Sequence, residues 1–290
     1  QNMPAIRLID TNRHRFRSTN TVNYDFKKIL KSDDHSLNLL VGHEYVITKK
    51  RTNTNESHGF PTDFDSNMAW KLTSQGTPYM IDDVYSADDK LLSFFGRANY
   101  NYKDKYLFSA TFRADASSKF ASNNRWGYFP SAAIAWRISS EPFMKTTKSW
   151  LDDLKLRLSY GTAGNIPVGQ LSQMYELKTS SWVNNFTSFW APSKTMANPD
   201  LKWETTITRN VGLDFTLFGG KLSGNLEAYI NNTEDLLIAF PVGGTGYDSQ
   251  YRNMGETENK GFEATLTWHA VNKKDWGIDL NANIGFNKNK

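Results

Sequence analysis

From Trp276 to Asn287 apolar and polar residues alternate without a break. Trp276, Ile278, Leu280, Ala282, Ile284 and Phe286 fall on one side; Gly277, Asp279, Asn281, Asn283, Gly285 and Asn287 fall on the other. A period of two over this length means an extended strand with one apolar and one polar face. Strands of soluble proteins usually stop at about 5–6 residues. The same alternation recurs upstream. Leu92, Phe94, Gly96, Ala98, Tyr100 and Tyr102 oppose Ser93, Arg97, Asn99 and Asn101. Tyr106, Phe108, Ala110 and Phe112 oppose Ser109, Thr111, Arg113 and Asp115. Val211, Leu213, Phe215 and Leu217 oppose Asn210, Gly212, Asp214 and Thr216, and Phe262, Ala264, Leu266 and Trp268 oppose Glu263, Thr265 and Thr267.

The pattern predicts ten strands, at 18–29, 36–49, 90–102, 106–117, 128–138, 153–163, 203–217, 222–234, 259–269 and 275–287. Short connections at Lys31–His35, Lys103–Lys105, Ser139–Asp152, Phe218–Lys221 and Ala270–Lys274 alternate with longer ones. The long ones are Lys50–Asp89, Asn165–Lys202 and Asp235–Glu258, with Ser118–Gly127 intermediate. In an up-and-down sheet every short turn then lands on one rim and every long loop on the other. Membrane-spanning β-barrels sort their connections this way, with short turns in the periplasm and long loops outside. Tyr100, Tyr102 and Tyr106 flank one short turn, and Trp268 and Trp276 flank another. Tyr and Trp favour the membrane–water boundary, so these residues are read as an aromatic girdle.

Mean hydropathy is −0.59 and the hydrophobic content is 39%. Those values alone suggest solubility, but barrel strands dilute their membrane signal because every second residue faces the interior. No apolar run is long enough for a transmembrane helix. The net charge of +4 is small, with basic residues scattered along the chain, and does not argue for nucleic acid. There is no cysteine, so disulfides and cysteine metal sites are excluded. The start, QNMPAIRLID, lacks the blocks of a signal peptide.

Catalytic patterns are absent. His14, His35, His43, His58 and His269 show no metal-ligand spacing. Gly243-Gly244-Thr245-Gly246 opens no predicted helix and reads as a loop tip. The carboxylate pairs Asp63/Asp65, Asp82/Asp83, Asp88/Asp89 and Asp152/Asp153 read as solvated connections rather than a glycosidase pair. The Gly and distal Glu of an EF-hand are missing around Asp63. No enzyme activity, metal or cofactor is expected. On the polar face Arg97, Arg113, Arg137 and Arg157, with Asp214 and Glu227, suit a wide water-filled lumen. In the long loops Trp70, Trp182, Trp190, Tyr247 and Tyr251 lie among Asn, Ser and Thr. Such rings either recognise a sugar or peptide or pack the loops together.

Four stretches carry a family resemblance: Arg113 to Met144 (RADASSKFASNNRWGYFPSAAIAWRISSEPFM), Leu154 to Asn165 (LKLRLSYGTAGN), Ala197 to Phe215 (ANPDLKWETTITRNVGLDF) and Asn253 to Leu266 (NMGETENKGFEATL). They resemble the SusC/RagA-type TonB-linked outer-membrane transporters, in the family's order and spacing, over most of Thr19 to Asn287. Ala116 departs from the family's usual Gly. The resemblance implies an all-β fold: part of a large antiparallel up-and-down transmembrane barrel of about 22 strands. It also implies import of oligosaccharides or peptides, a SusD-like surface lipoprotein as lid, and energy from TonB through a plug domain. Residues 1–290 are then expected to be a single segment of the barrel domain in the outer membrane. The plug domain, TonB box, closing strands and terminal aromatic are expected to be missing. The rival readings are a secreted soluble β-rich glycan-binding module and a β-fold glycoside hydrolase.

Overall fold

The computed structural model describes residues 4–85, 87–166, 175–182, 185–192 and 194–290, without the side chains of 82–85, 175–182 and 185–192. In chain order the strands are β1 (Ile6–Asp25), β2 (His35–His58), β3 (Thr77–Tyr85), β4 (Asp89–Tyr102), β5 (Tyr106–Ser117), β6 (Trp126–Arg137), β7 (Leu151–Asn165) and β8 (Tyr175–Trp182). Then come β9 (Asn185–Pro192), β10 (Thr195–Met196), β11 (Glu204–Leu217), β12 (Leu222–Glu234), β13 (Leu237–Pro241), β14 (Ser249–Asn253), β15 (Thr257–Asn272) and β16 (Gly277–Asn289). Two short helices, α1 (Lys27–Leu30) and α2 (Ser66–Lys71), lie in connections. No helix among the described residues is long and apolar enough to cross a membrane, which says nothing of crossing by strands.

Ten strands form a wall in the order β1-β2-β4-β5-β6-β7-β11-β12-β15-β16, every pair antiparallel. These correspond to the ten strands expected from the alternation, and all five short connections fall on one rim. The turns explain themselves locally. Phe218–Lys221 reverses with Phe218, Gly219 and Gly220 all at positive φ, where Gly carries no Cβ penalty. Asp152 Oδ2 accepts from the N–H groups of Gly219 and Gly220 at 2.7 and 3.1 Å. Lys103 and Asp104 also adopt positive φ, and Asn101 Oδ1 accepts the Asp104 N–H at 3.0 Å.

The first strand departs from expectation at both ends. It runs from Ile6 and stops at Asp25, because the next residues coil into α1. Asp25 Oδ1 accepts the Lys27 N–H at 2.9 Å, and Lys31 closes the turn at φ 47°. Long loops also hold strands that alternation did not reveal. Beyond the wall β2 continues and pairs with β3, β3 pairs with β8, and β8 pairs with β9. A separate small sheet has the order β10-β14-β13. In Lys49–His58, KKRTNTNESH, both faces are polar. Outside a bilayer both faces meet water, so the period-two signal vanishes while the hydrogen-bond ladder persists.

Residues paired across the ladder share a face. Following the register from β7 to β16, one row runs Leu158, Val211, Ala228, Phe262, Phe286 and the next Leu156, Leu213, Leu226, Ala264, Ile284. No second sheet covers this apolar face among the described residues, and Phe262, Ile284 and Phe286 stay exposed. On β5 the apolar face spans Tyr106 to Ala116. That is roughly 34 Å along the strand, or about 24 Å of height at a 45° tilt, matching the apolar band of about 25 Å in membrane barrels.

Candidate functional site

The opposite face of the wall is polar and organised by two ion networks. In the first, the carboxylate of Glu44 on β2 is buried and accepts from Arg17 Nε at 2.6 Å and from Thr19 Oγ1 at 2.9 Å, both on β1. Arg113 on β5 lies 3.6 Å from Glu44, donates to both oxygens of Asp115 at 2.9 Å and reaches Ser93 Oγ at 2.9 Å. Its guanidinium also stacks over the Phe95 ring. Ser93 is fully buried, and Gly42 makes room for the Phe95 ring, because a Cβ there would meet it at 2.7 Å. One network thereby ties four neighbouring strands.

The second network centres on Arg157 of β7. It donates to both oxygens of Asp214 on β11, at 2.8–3.1 Å, and to Glu227 on β12 at 2.6 Å. Lys155 adds a contact to Asp214 at 2.8 Å. Gly212 lies directly across from Arg157, where a Cβ would stand 2.8 Å from the guanidinium. A cavity of about 570 Å³ beside Arg157 is lined on the polar face by Asn38, Asn99, Ser109, Ser159 and Asn210. Such amide and hydroxyl groups donate and accept without a fixed charge.

Arg97, Arg113, Arg137 and Arg157 all lie on the polar face. Arg97 donates to Thr111 Oγ1 at 3.2 Å, and Arg137 sits at the short-turn rim, 3.4 Å from Asp153. Arg113, Arg137 and Arg157 each face a carboxylate, and Arg97 is the one of the four that meets none among the described residues.

At the long-loop rim the polar face carries a small apolar core. Phe120, Phe129, Leu201, Trp203 and Leu237 are buried together, with Leu91, Ile166 and Tyr251 packed against them. The Phe129 ring covers Gly127 and Gly164, and a Cβ at Gly164 would run into it. Trp203 stacks edge-on to Phe129 and donates Nε1–H to the Arg125 carbonyl at 2.9 Å. Buried Glu204 accepts from Asn165 Nδ2 at 3.0 Å and from the Leu237 N–H at 2.7 Å. Three loops are thus rooted at one place. Phe129 and Trp203 were not singled out in the sequence, although the Leu-Lys-Trp of Leu201–Trp203 stands out as an apolar pair in a polar loop.

Among the loop aromatics, Trp70 stands exposed on α2, whose N-terminus Asp65 caps by accepting the Met68 N–H at 2.7 Å. Tyr247 is half-buried near the β13–β14 tip, and Tyr251 belongs to the loop-root packing. Trp182 and Trp190 have backbones in β8 and β9, but their side chains lie outside the described residues. Asp152 and Asp153 serve turn and rim contacts. No group of three or more His, Asp or Glu is placed to hold a metal among the described residues.

The short-turn rim has its own cluster. Glu141 accepts from the Tyr106 hydroxyl at 2.6 Å, from Trp136 Nε1 at 3.2 Å and from Lys105 Nζ at 3.3 Å. The Tyr106 hydrogen bond, then that of Trp136 and the lysine, hold its carboxyl below the usual carboxylate range against some desolvation. On the apolar face Tyr102 and Tyr106 stack at 6.3 Å, with Trp136 across from Tyr106. Nearer the long loops Trp126 stacks on Phe94 and Tyr128 on Phe112, each at 6.3 Å between ring centres.

A family model described as TonB dependent receptor-like, beta-barrel, matches residues 4–290. TonB-dependent receptor P3 of Formosa agariphila is 34% identical over 283 residues, covering 94% of this chain and 27% of the relative. TonB-dependent receptor SusC of Bacteroides thetaiotaomicron is 35% identical over 246 residues, covering 81% of this chain and 24% of SusC. The solved RagAB peptide transporter superposes with a TM-score of 0.80 at 31% identity, over 98% of this chain and 31% of that one. The Escherichia coli outer membrane transporter YddB, at 12% identity and a TM-score of 0.64, shares the fold. The chain therefore spans about a quarter to a third of the length of the relatives it matches.

Proposed function

This chain belongs to the TonB-dependent receptor-like β-barrel family, in its SusC/RagA branch, and from that membership we propose that the whole protein imports an oligosaccharide or peptide. Its strands belong to the outer membrane. The observation that carries the proposal is the ten-stranded wall, with an uncovered apolar face, a polar face tied by ion networks, and long rooted loops on one rim. A soluble glycan-binding sandwich would need a second sheet across that apolar face.

In this reading the apolar face meets lipid, and the polar face lines a lumen shared with a plug and completed by further strands. Import draws energy from TonB through that plug, which is how the family's name is understood. The solved RagAB likeness and the SusC relative support a SusD-like lipoprotein as lid and a peptide or oligosaccharide as cargo. Trp70 and Tyr247 are the described loop aromatics with ring surface left for cargo, whereas Tyr251 contributes by holding its loop. Arg97, whose Nε is bonded to Thr111, keeps further guanidinium N–H groups to offer plug or cargo, beside the amide and hydroxyl groups around the cavity. Arg113, Arg137 and Arg157 act mainly as braces of the wall.

The test deletes the full-length gene and follows removal of oligosaccharides and oligopeptides from the medium by mass spectrometry. At least one substance should stay in the medium and be consumed again on complementation. A tagged full-length protein should co-purify with a surface lipoprotein. Unchanged removal of every sugar and peptide supplied would overturn the reading.

A further inference from the structure

Basic residues look scattered along the sequence, but the fold gives every short connection the same sign. Between the strand ends of the structure, each of the five short connections (26–34, 103–105, 138–150, 218–221 and 273–276) carries one more lysine than carboxylates, ten lysines against five acids in all. On the other rim the four connections carry seven basic against ten acidic residues, and the β1–β2 ribbon beyond the wall adds Arg7, Arg13, Lys49, Lys50 and Arg51 against Asp10 and Glu56, so the two signs balance there. Two short-turn lysines are committed: Lys103 to Asp34 and Lys105 to Glu141, both at 3.3 Å. Lys28, Lys31, Lys145, Lys148, Lys221 and Lys274 are exposed and form no ion pair among the described residues.

The same connections expose rings. Phe143 is 65% exposed, Trp276 56% and Phe218 53%. An exposed ring beside a free ammonium is a headgroup-level pairing: the ring enters the interface while the long lysine stem carries its charge to the phosphates. Lysines serving only to keep turns hydrated would not need one sign on every turn.

We propose that the short-turn rim binds the headgroups of anionic phospholipids in the leaflet beside it. Charge complementarity selects the occupant, because juxtamembrane lysines attract anionic lipid within a Debye length. The inference rests on the outer-membrane reading, with the short turns on the periplasmic side.

The experiment uses purified full-length protein in detergent, offered phosphatidylglycerol and phosphatidylcholine together, with bound lipid read by native mass spectrometry. Wild type should retain phosphatidylglycerol several-fold over phosphatidylcholine. The variant Lys28→Gln/Lys31→Gln/Lys145→Gln/Lys148→Gln should lose that preference, while Lys71→Gln/Lys194→Gln on the opposite rim should keep it. Heat-modifiable gel migration reports that each barrel is folded. Equal retention of both lipids by folded wild type overturns the proposal and leaves import standing, and so does an undiminished preference in the quadruple variant. Equal loss in the Lys71/Lys194 variant also overturns it, because the effect would then be unspecific charge.

Discussion

Placing an arginine on each face of the wall, at graded depth, tests the facing directly. On the apolar side of β11 the row positions below Arg209 are Val211, Leu213, Phe215 and Leu217. Leu213 lies between Leu156 and Leu226, in the second of these four rows. Arg209, which donates to Asn232 at 3.0 Å, marks the polar border above. It is four residues away, about 14 Å along the strand and about 10 Å in depth at a 45° tilt. An arginine at Leu213 snorkels only part of that distance, so the cost should approach the midplane value of about 2–4 kcal/mol. Leu217→Arg, beside the short turn, should cost about 0–1 kcal/mol. Asn283→Arg points to the polar face, across from Thr265, and should stay within about 0.5 kcal/mol. The assay is urea unfolding of full-length protein refolded into phosphatidylcholine vesicles. If Asn283→Arg costs as much as Leu213→Arg, or the two leucine sites cost the same, the assignment of faces or depth is wrong.

Gly164→Ala should push the Phe129 ring out of the loop-root core, costing about 1–3 kcal/mol by overpacking. Faster protease cleavage in the long loops, with the barrel still folded, would register it. Glu44→Ala leaves Arg17 and Thr19 without their shared acceptor and removes the charge facing Arg113, and should cost about 1–3 kcal/mol in the same vesicle titration. Glu141 has a folded pKa below its unfolded value. Its contribution is therefore complete above the unfolded carboxylate value and fades as pH falls through the folded one. Tyr106→Phe should flatten that acid-side loss of stability in urea midpoints measured from neutral to acid pH.

The wall was legible because lipid on one side and water on the other impose a strict period of two. Val211, Leu213 and Phe215 against Asn210, Gly212 and Asp214 suffice to set the facing of β11. The rhythm of short and long connections then set the rims. Beyond the bilayer that logic stops. In β3, TPYMIDDVY, apolar and polar residues do not alternate cleanly, so a strand held by backbone pairing to β2 reads as loop. The polar-face arginines were findable by alternation, but not their partners. Glu44 is distant in sequence from Arg113, and only the register brings them together. The loop-root core was hidden for a similar reason: Phe120, Phe129, Trp203 and Leu237 come from separate connections and strand ends.

Strand β2 runs unbroken for 24 residues, roughly 80 Å. It is laddered to β1 from Asn38 to Ser57, through the wall and on into the outer sheet. A double-ply ribbon of that kind behaves as a door jamb. Its upper part cannot swing without bending the part that carries Glu44. Movements of the long loops should then be hinged elsewhere, while the β1–β2 side supplies a fixed edge beside them.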